Sequence, residues 1–109
     1  MGMIEKLEAM LAQGQDSKLL RFSLGKAYLE ADRPADAVEH LAHCLALDPE
    51  YSAAWNAYGK ALRAADRDAD ALVAWRRGIG VAERNGDKQA AKEMRVFARR
   101  LEKQGRNGG

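Results

Sequence analysis

Cysteine is almost missing from this chain. The single Cys44 cannot form an internal disulfide, so stability must come from packing, and a reducing cytoplasm is the expected compartment. Proline is scarce as well: Pro34 and Pro49 are the two in 109 residues, which leaves long stretches free to form helix. No apolar run approaches the roughly 20 residues that a membrane helix needs. The first fifteen residues alternate charged and apolar side chains and contain no continuous apolar core of a secretory signal. Catalytic motifs are also lacking. The chain has no phosphate loop, no His-Glu-x-x-His, no paired-cysteine knuckle and no glycine-flanked nucleophilic serine. Gly78-Ile79-Gly80 lies in an alanine-rich helical stretch and follows no strand, so it is not a dinucleotide fingerprint. Neither an enzymatic activity nor a cofactor is expected.

The sequence does contain a repeat. Gly25-Lys-Ala-Tyr-Leu-Glu-Ala-Asp-Arg-Pro-Ala-Asp-Ala-Val38 returns 34 residues later as Gly59-Lys-Ala-Leu-Arg-Ala-Ala-Asp-Arg-Asp-Ala-Asp-Ala-Leu72, with nine of fourteen positions identical. A fixed period of that length is the signature of a stacked two-helix unit. The composition, 47% hydrophobic and 31% charged, suits one small helical domain that buries roughly two-thirds of its unfolded surface.

In chain order, residues 3–13 predict a short amphipathic helix with Ile4, Leu7, Met10 and Leu11 on one side and Gly14 as its stop. Shifted by the period, these positions fall on Val38, Leu41, Cys44 and Leu45, so the segment reads as the second helix of a partial unit. The first full unit, 18–51, follows the capping pair Asp16-Ser17. Its first helix carries Leu20, Leu24, Gly25 and Tyr28, and its second carries Ala37, Val38, Leu41, Cys44 and Leu45 up to the Asp48-Pro49 stop. The second unit, 52–85, repeats this with Trp55, Tyr58, Gly59 and Leu62, then Ala71, Leu72, Trp75, Gly78 and Val81. Asn85-Gly86 predicts a left-handed cap. A last helix, 86–104, uses Met94, Phe97, Ala98 and Leu101 as its apolar seam, and residues 105–109 are expected to be a disordered tail.

Leu24-Gly25, Tyr28, Ala37 and Pro49 in the first unit, with Trp55, Gly59, Ala71 and Trp75 in the second, resemble the pattern of tetratricopeptide repeat proteins. Arg21 stands where that pattern has tryptophan, and Glu83 where it has the closing proline. The resemblance implies an all-α, right-handed superhelical stack of antiparallel helix pairs, about six helices in a single domain over 1–104. It also implies a concave groove, lined by the first helix of each unit, that holds an extended peptide or a partner helix. The segment 86–104 fits a polar-faced cap. Its strict period would put Lys92, Glu93 and Val96 at packing positions, so a slipped or rotated register is expected.

Once the packing positions are assigned, Phe22, Lys26 and Leu29 remain for the groove in the first unit, and Asn56, Lys60 and Arg63 in the second. Three cations and one amide suit an acidic or carboxylate-bearing peptide segment, with Phe22 and Leu29 offering apolar contact. The carboxylate clamp known in the family is not reproduced, since Lys26 stands where its first repeat has asparagine. The partner is therefore expected to be a protein or peptide, with no small-molecule substrate.

Charge is uneven along the chain: residues 1–85 carry 11 basic and 13 acidic side chains, and residues 86–109 carry 7 and 3. Lys88, Lys92, Arg95, Arg99 and Lys103, with Arg100 and Arg106 nearby, make a basic stripe that could meet an anionic partner. Nucleic acid is disfavoured, because no aromatic side chain is interleaved for base stacking. A solvated cap face is the blander reading of the stripe. Self-association through the partial unit at 3–13 is a further alternative, so monomer and weak homo-oligomer both stay open. His40, His43 and Cys44 lie close in sequence but do not complete a metal set, and they read as surface histidines beside a core thiol.

Overall fold

The computed structural model describes residues 2–108, with side chains described through Gly105. Among these residues six helices follow one another: α1 (Met3–Ala12), α2 (Lys18–Glu30), α3 (Pro34–Leu47), α4 (Ser52–Ala64), α5 (Asp68–Arg84) and α6 (Lys88–Gly108). Helix α2 packs on α3, α4 on α5, and α5 on α6. Helices α2, α4 and α6 also touch in succession along one side of the stack, which measures 46 × 31 × 19 Å. The chain is an all-α tetratricopeptide-like stack.

Each helix end has a local cause. Helices α2 and α4 close on Asp32 and Asp66, one period apart and both left-handed, at φ 59° and 61°. The Arg33 and Arg67 amides then reach back to Tyr28 O and Leu62 O at 2.9 and 2.8 Å. This is the double-bonded closure of a left-handed cap, made here by aspartate rather than glycine. Gly14 and Gly86 perform the same turn after α1 and α5. Pro34 sits in the first turn of α3, where its missing N–H has no partner to lose.

The helix pairs meet over glycine. A Cβ at Gly25 would overlap the Leu41 side chain, and one at Gly59 would overlap the Trp75 indole, so both seams need the bare backbone. Trp55 and Trp75 are buried, as their repeat positions predict. Each also satisfies its indole N–H: Trp55 donates to Pro49 O at 2.8 Å and Trp75 to Asn56 O at 3.3 Å.

Helix α6 departs from strict periodicity in the way its apolar residues require. First helices begin at 18, 52 and 88, a spacing of 34 and then 36 residues. With Glu83 in place of proline, nothing blocks α5, and it runs on to Arg84. The two extra residues bring Ala90, Ala91, Met94, Ala98 and Leu101 onto the stack, where all are buried, and Met94 fills the space over Gly78. The helix also continues past the expected end at 104. It reaches Gly108, so the tail expected over 105–109 is helical through 108, and Gly109 lies outside the described residues. Glycine at 105 weakens a helix by about 1 kcal/mol relative to alanine without forbidding it, and no proline follows.

His40 corrects another expectation. It is buried rather than on the surface. Its Nδ1 lies 3.1 Å from the Arg21 guanidinium and its Nε2 lies 3.2 Å from Glu8. Arginine can only donate, so Nδ1 accepts and Nε2–H points at the carboxylate. Cys44 is fully buried, with Sγ 3.3 Å from Lys18 O, and burial pushes its thiol up to about 11. His43 is exposed. No group of three or more potential ligands that could hold a metal ion occurs among the described residues.

Candidate functional site

The succession α2, α4, α6 places most of the predicted groove residues along one side of the stack. A hollow of about 290 Å³ is lined by Phe22 and Lys26 of α2 and by Asn56 and Lys60 of α4. A second, of about 670 Å³, continues from Lys60 and Arg63 of α4 to Phe97, Arg100 and Gln104 of α6. Lys60 lines both. Five of the six expected residues therefore fall on this side. Leu29 lines neither hollow: it is half-buried against the core of the first unit. Arg63, its counterpart one period on, is long enough to reach Gln104 Oε1 at 2.8 Å, whereas Leu29 stops short.

The cations lie over aromatic rings. Lys26 Nζ is 5.5 Å from the Phe22 ring centroid and Lys60 Nζ is 5.3 Å from that of Phe97. Such contacts hold the stems against apolar surface and leave the ammonium groups facing the groove. Phe22 also leans on Tyr51, with centroids 4.9 Å apart.

Asn56, in the first hollow, is buried. Its Nδ2 donates to Glu93 Oε2 at 3.1 Å, and its Oδ1 has no hydrogen-bond partner among the described residues. Glu93 thus brings an acid into a groove that the sequence predicted as cationic. Asp87 lines the same hollow, but its carboxylate is already engaged, accepting from Ser52 Oγ at 2.7 Å and from the Ala90 amide at 3.1 Å. These hydrogen bonds, the one from Ser52 foremost, hold its carboxyl below the ordinary range. The α6 contributors, Glu93, Phe97, Arg100 and Gln104, are the residues that sequence reasoning missed. The two-residue shift hides them from a strict period, while the buried run Ala90, Ala91, Met94, Ala98 would have located them.

The basic stripe lies on the opposite side of α6. Lys88, Lys92 and Arg99 are exposed, as is Lys103, while Arg95 is half-buried and paired with Glu83. The Arg106 side chain lies outside the described residues. Counting by the 36-residue spacing, Lys88, Lys92 and Arg95 correspond to Ser52, Asn56 and Gly59. On α4 these residues are buried, and Asn56 and Gly59 sit beneath Trp75 of α5. The part of the stripe from Lys88 to Arg95 is thus the α6 counterpart of the α4 face that packs on α5, while Arg99 corresponds to groove-lining Arg63. No helix among the described residues is long and apolar enough to cross a membrane.

Comparison with known proteins agrees with this architecture. The tetratricopeptide repeat pattern matches residues 18–61. A TPR repeat-containing protein of Pseudomonas aeruginosa is 54% identical over 101 residues, covering 93% of this chain and 96% of the relative. The solution structure of a Bordetella parapertussis protein superposes with a TM-score of 0.84 at 46% identity, over 95% of this chain and 90% of the other. A tetratricopeptide repeat domain protein of Salinibacter ruber shares the fold with a TM-score of 0.74 at 24% identity, over 80% of this chain and 97% of its own. With its repeats, its glycine-seated seams and these relatives, the chain belongs to the tetratricopeptide repeat family.

Proposed function

We propose that this protein is a non-catalytic adaptor that holds an extended, acidic or carboxylate-bearing segment of a partner protein along the α2–α4–α6 side. Stacks of this family are generally protein–protein interaction modules and scaffolds. The observation that carries the finer reading is the position of Lys60, which lines both hollows, with Lys26 in the first and Arg63 and Arg100 in the second. An extended backbone laid across Lys60 would meet Lys26 and Phe22 toward one end and Arg63, Arg100 and Phe97 toward the other. Glu93 shares the first hollow with Lys26 and Lys60, and Asp66 and Asp68 share the second with Lys60, Arg63 and Arg100, so the acidic groups of the segment belong on these cations and clear of the three carboxylates. The working unit in this reading is one domain of two full repeats with flanking helices.

Two repeats offer little buried area, so affinity should be modest, around micromolar or about −8 kcal/mol. The test is fluorescence polarisation with labelled extended peptides bearing glutamates at both ends, free or amidated at the C terminus. Lys60→Glu should weaken binding by an order of magnitude or more and leave the circular dichroism spectrum unchanged, because the side chain is exposed. Wild-type binding by a Lys26/Lys60/Arg63 triple-glutamate variant would sink the proposal.

A further inference from the structure

Helices α1, α3 and α5 flank two further spaces on the side of the stack away from the peptide groove, and the repeat makes these spaces equivalent. The first, between α1 and α3, is full. Glu8 accepts from Tyr28 Oη at 2.8 Å and faces His40, the His40 ring lies flat against Tyr28 with centroids 5.4 Å apart, and Arg21 ties His40 to Asp16. One period on, Glu8 becomes Ala42, Arg21 becomes Trp55, Tyr28 becomes Leu62 and His40 becomes Ala74.

Two long polar side chains are thereby reduced to methyl groups. The space between α3 and α5 stays open as a groove of about 390 Å³, whose lining includes Trp55, Tyr58 and Leu62 from α4. These residues are on the opposite face of α4 from Asn56 and Lys60. On one wall Val73 is 55% exposed, an outward valine where the first unit has Glu39. The Arg77 guanidinium lies 4.8 Å from the Trp55 ring and, among the described residues, takes part in no ion pair. The other charges at the groove, Arg67 and Asp70, satisfy each other at 2.9 Å.

We propose that this groove is a second docking site, for a partner segment that inserts an aromatic or branched aliphatic side chain against exposed Val73 and half-buried Tyr58 and sets a neighbouring carboxylate on Arg77. Three features favour that occupant. The volume falls in the roughly 300–1,000 Å³ range of preformed sites. The wall around Ala42, Ala46, Pro49, Val73 and Ala74 is apolar, so water held against it is poorly hydrogen-bonded and readily displaced, while the charged groups give the site a polar side. Arg77 is already desolvated on one face by the indole and has its hydrogen-bonding edge free for a planar anion. The site shares no residue with the peptide groove, so one protein can hold two segments at once.

The test uses 3-phenylpropionate as the probe, with 3-phenylpropanamide as its uncharged control, followed by NMR shifts on the full chain at millimolar concentration. The acid should move the signals of Ala42, Leu62, Val73, Ala74 and Arg77, and should bind several-fold more tightly than the amide. Ala74→His fills the groove as His40 fills its counterpart, and should weaken both probes at least tenfold. Should that variant not fold, Ala42→Glu fills the same space from α3. Arg77→Gln should weaken the acid to the level of the amide and leave the amide unchanged, while Lys60→Glu should alter neither. Absence of shifts at these residues, undiminished binding to the filled variant, or shifts centred on Lys26 and Lys60 would each overturn the proposal.

Discussion

The two full units share a backbone and differ in what fills it. Over Gly25 the first unit places Leu41, and its outer space is occupied by the network of Glu8, Tyr28, His40 and Arg21. Over Gly59 the second unit places Trp75, which stacks on Phe97 of α6 with centroids 5.2 Å apart, and its outer space is open. The apolar core is correspondingly lopsided. One cluster gathers α4, α5 and α6 around the two tryptophans, with Cys44 and Leu45 of α3, and a smaller one joins α2 and α3, with Ala57 and Ala61 of α4, to an α1 that has no buried residue of its own. The repeat therefore fixes where helices go, while side chains outside the repeated positions decide which half is held by apolar burial and which by polar contacts.

Removing residues 87–109 is the harshest way to break that comparison. It uncovers the face of α5 that carries Trp75 and Val81, and the shortened chain should aggregate or melt early. Removing residues 2–16 should do less, since no residue of α1 is itself buried and only Ile4, Leu7 and Leu11 lean on the first-unit cluster. Equal effects of the two deletions, read by size exclusion and thermal melting, would contradict the asymmetry. Within the seams, Trp75→Ala should cost about 3–5 kcal/mol, and Leu41→Ala about 2–5 kcal/mol and less than Trp75→Ala, because only the tryptophan also backs α6. Denaturant midpoints decide this. A loss below about 1 kcal/mol at Trp75 would mean that the indole is not part of a packed seam.

A smaller effect is expected for the polar filling. His40→Ala takes a hydrogen-bond partner from Arg21 and from Glu8 in a half-buried setting, and should cost on the order of 1–3 kcal/mol. If the network is only ornamental, denaturant unfolding will show no change.

How far the sequence could be read follows the same division. The seams were legible because Gly25/Gly59 and Leu41/Trp75 recur at fixed spacing, and a glycine opposite a bulky residue has one structural use. The burial of His40 was not legible. Nothing in the local pattern separates it from exposed His43, and its burial depends on Glu8 and Arg21 arriving from two other helices. Arg21, a departure from the family pattern at the tryptophan position, turns out to be the group that makes a buried histidine tolerable. The register slip of α6 was legible, because a strict period would bury Lys92 and Glu93. Its consequence for the groove was not, since placing Glu93 against Asn56 requires the length of α5 and its loop together. The groove set was read from the first helices of the two full units alone, and so lacked the residues that α6 adds.

The finest comparison lies at the starts of the first helices. Helix α2 is capped by Ser17 Oγ, which accepts from the Leu20 amide at 3.1 Å. Helix α4 has no side-chain cap at Tyr51. Helix α6 is capped by Asp87, which accepts from the Ala90 amide and also from Ser52 Oγ at the start of α4. The serine cap is neutral and the aspartate cap is charged, so pH separates them. The Asp87 carboxyl is held below its ordinary value near 3.8, first by the Ser52 hydrogen bond. Its contribution is therefore fully present above that value and is lost as pH falls through the lowered folded value. Asp48, held down chiefly by Lys18, and Asp16, held down chiefly by Arg21, titrate in the same direction. The wild-type acid limb is thus a composite, and differences between variants are what must be compared. Asp87→Asn keeps an acceptor for the Ala90 amide but removes the charge at the positive end of α6. Its deficit in thermal midpoint should be largest at neutral pH and shrink toward zero in acid. Ser17→Ala, by contrast, should cost about 1 kcal/mol at either pH. An Asp87→Asn deficit that stays constant from neutral to acid pH would show that the charge contributes nothing and that α6 is started by hydrogen bonding alone, as α2 is.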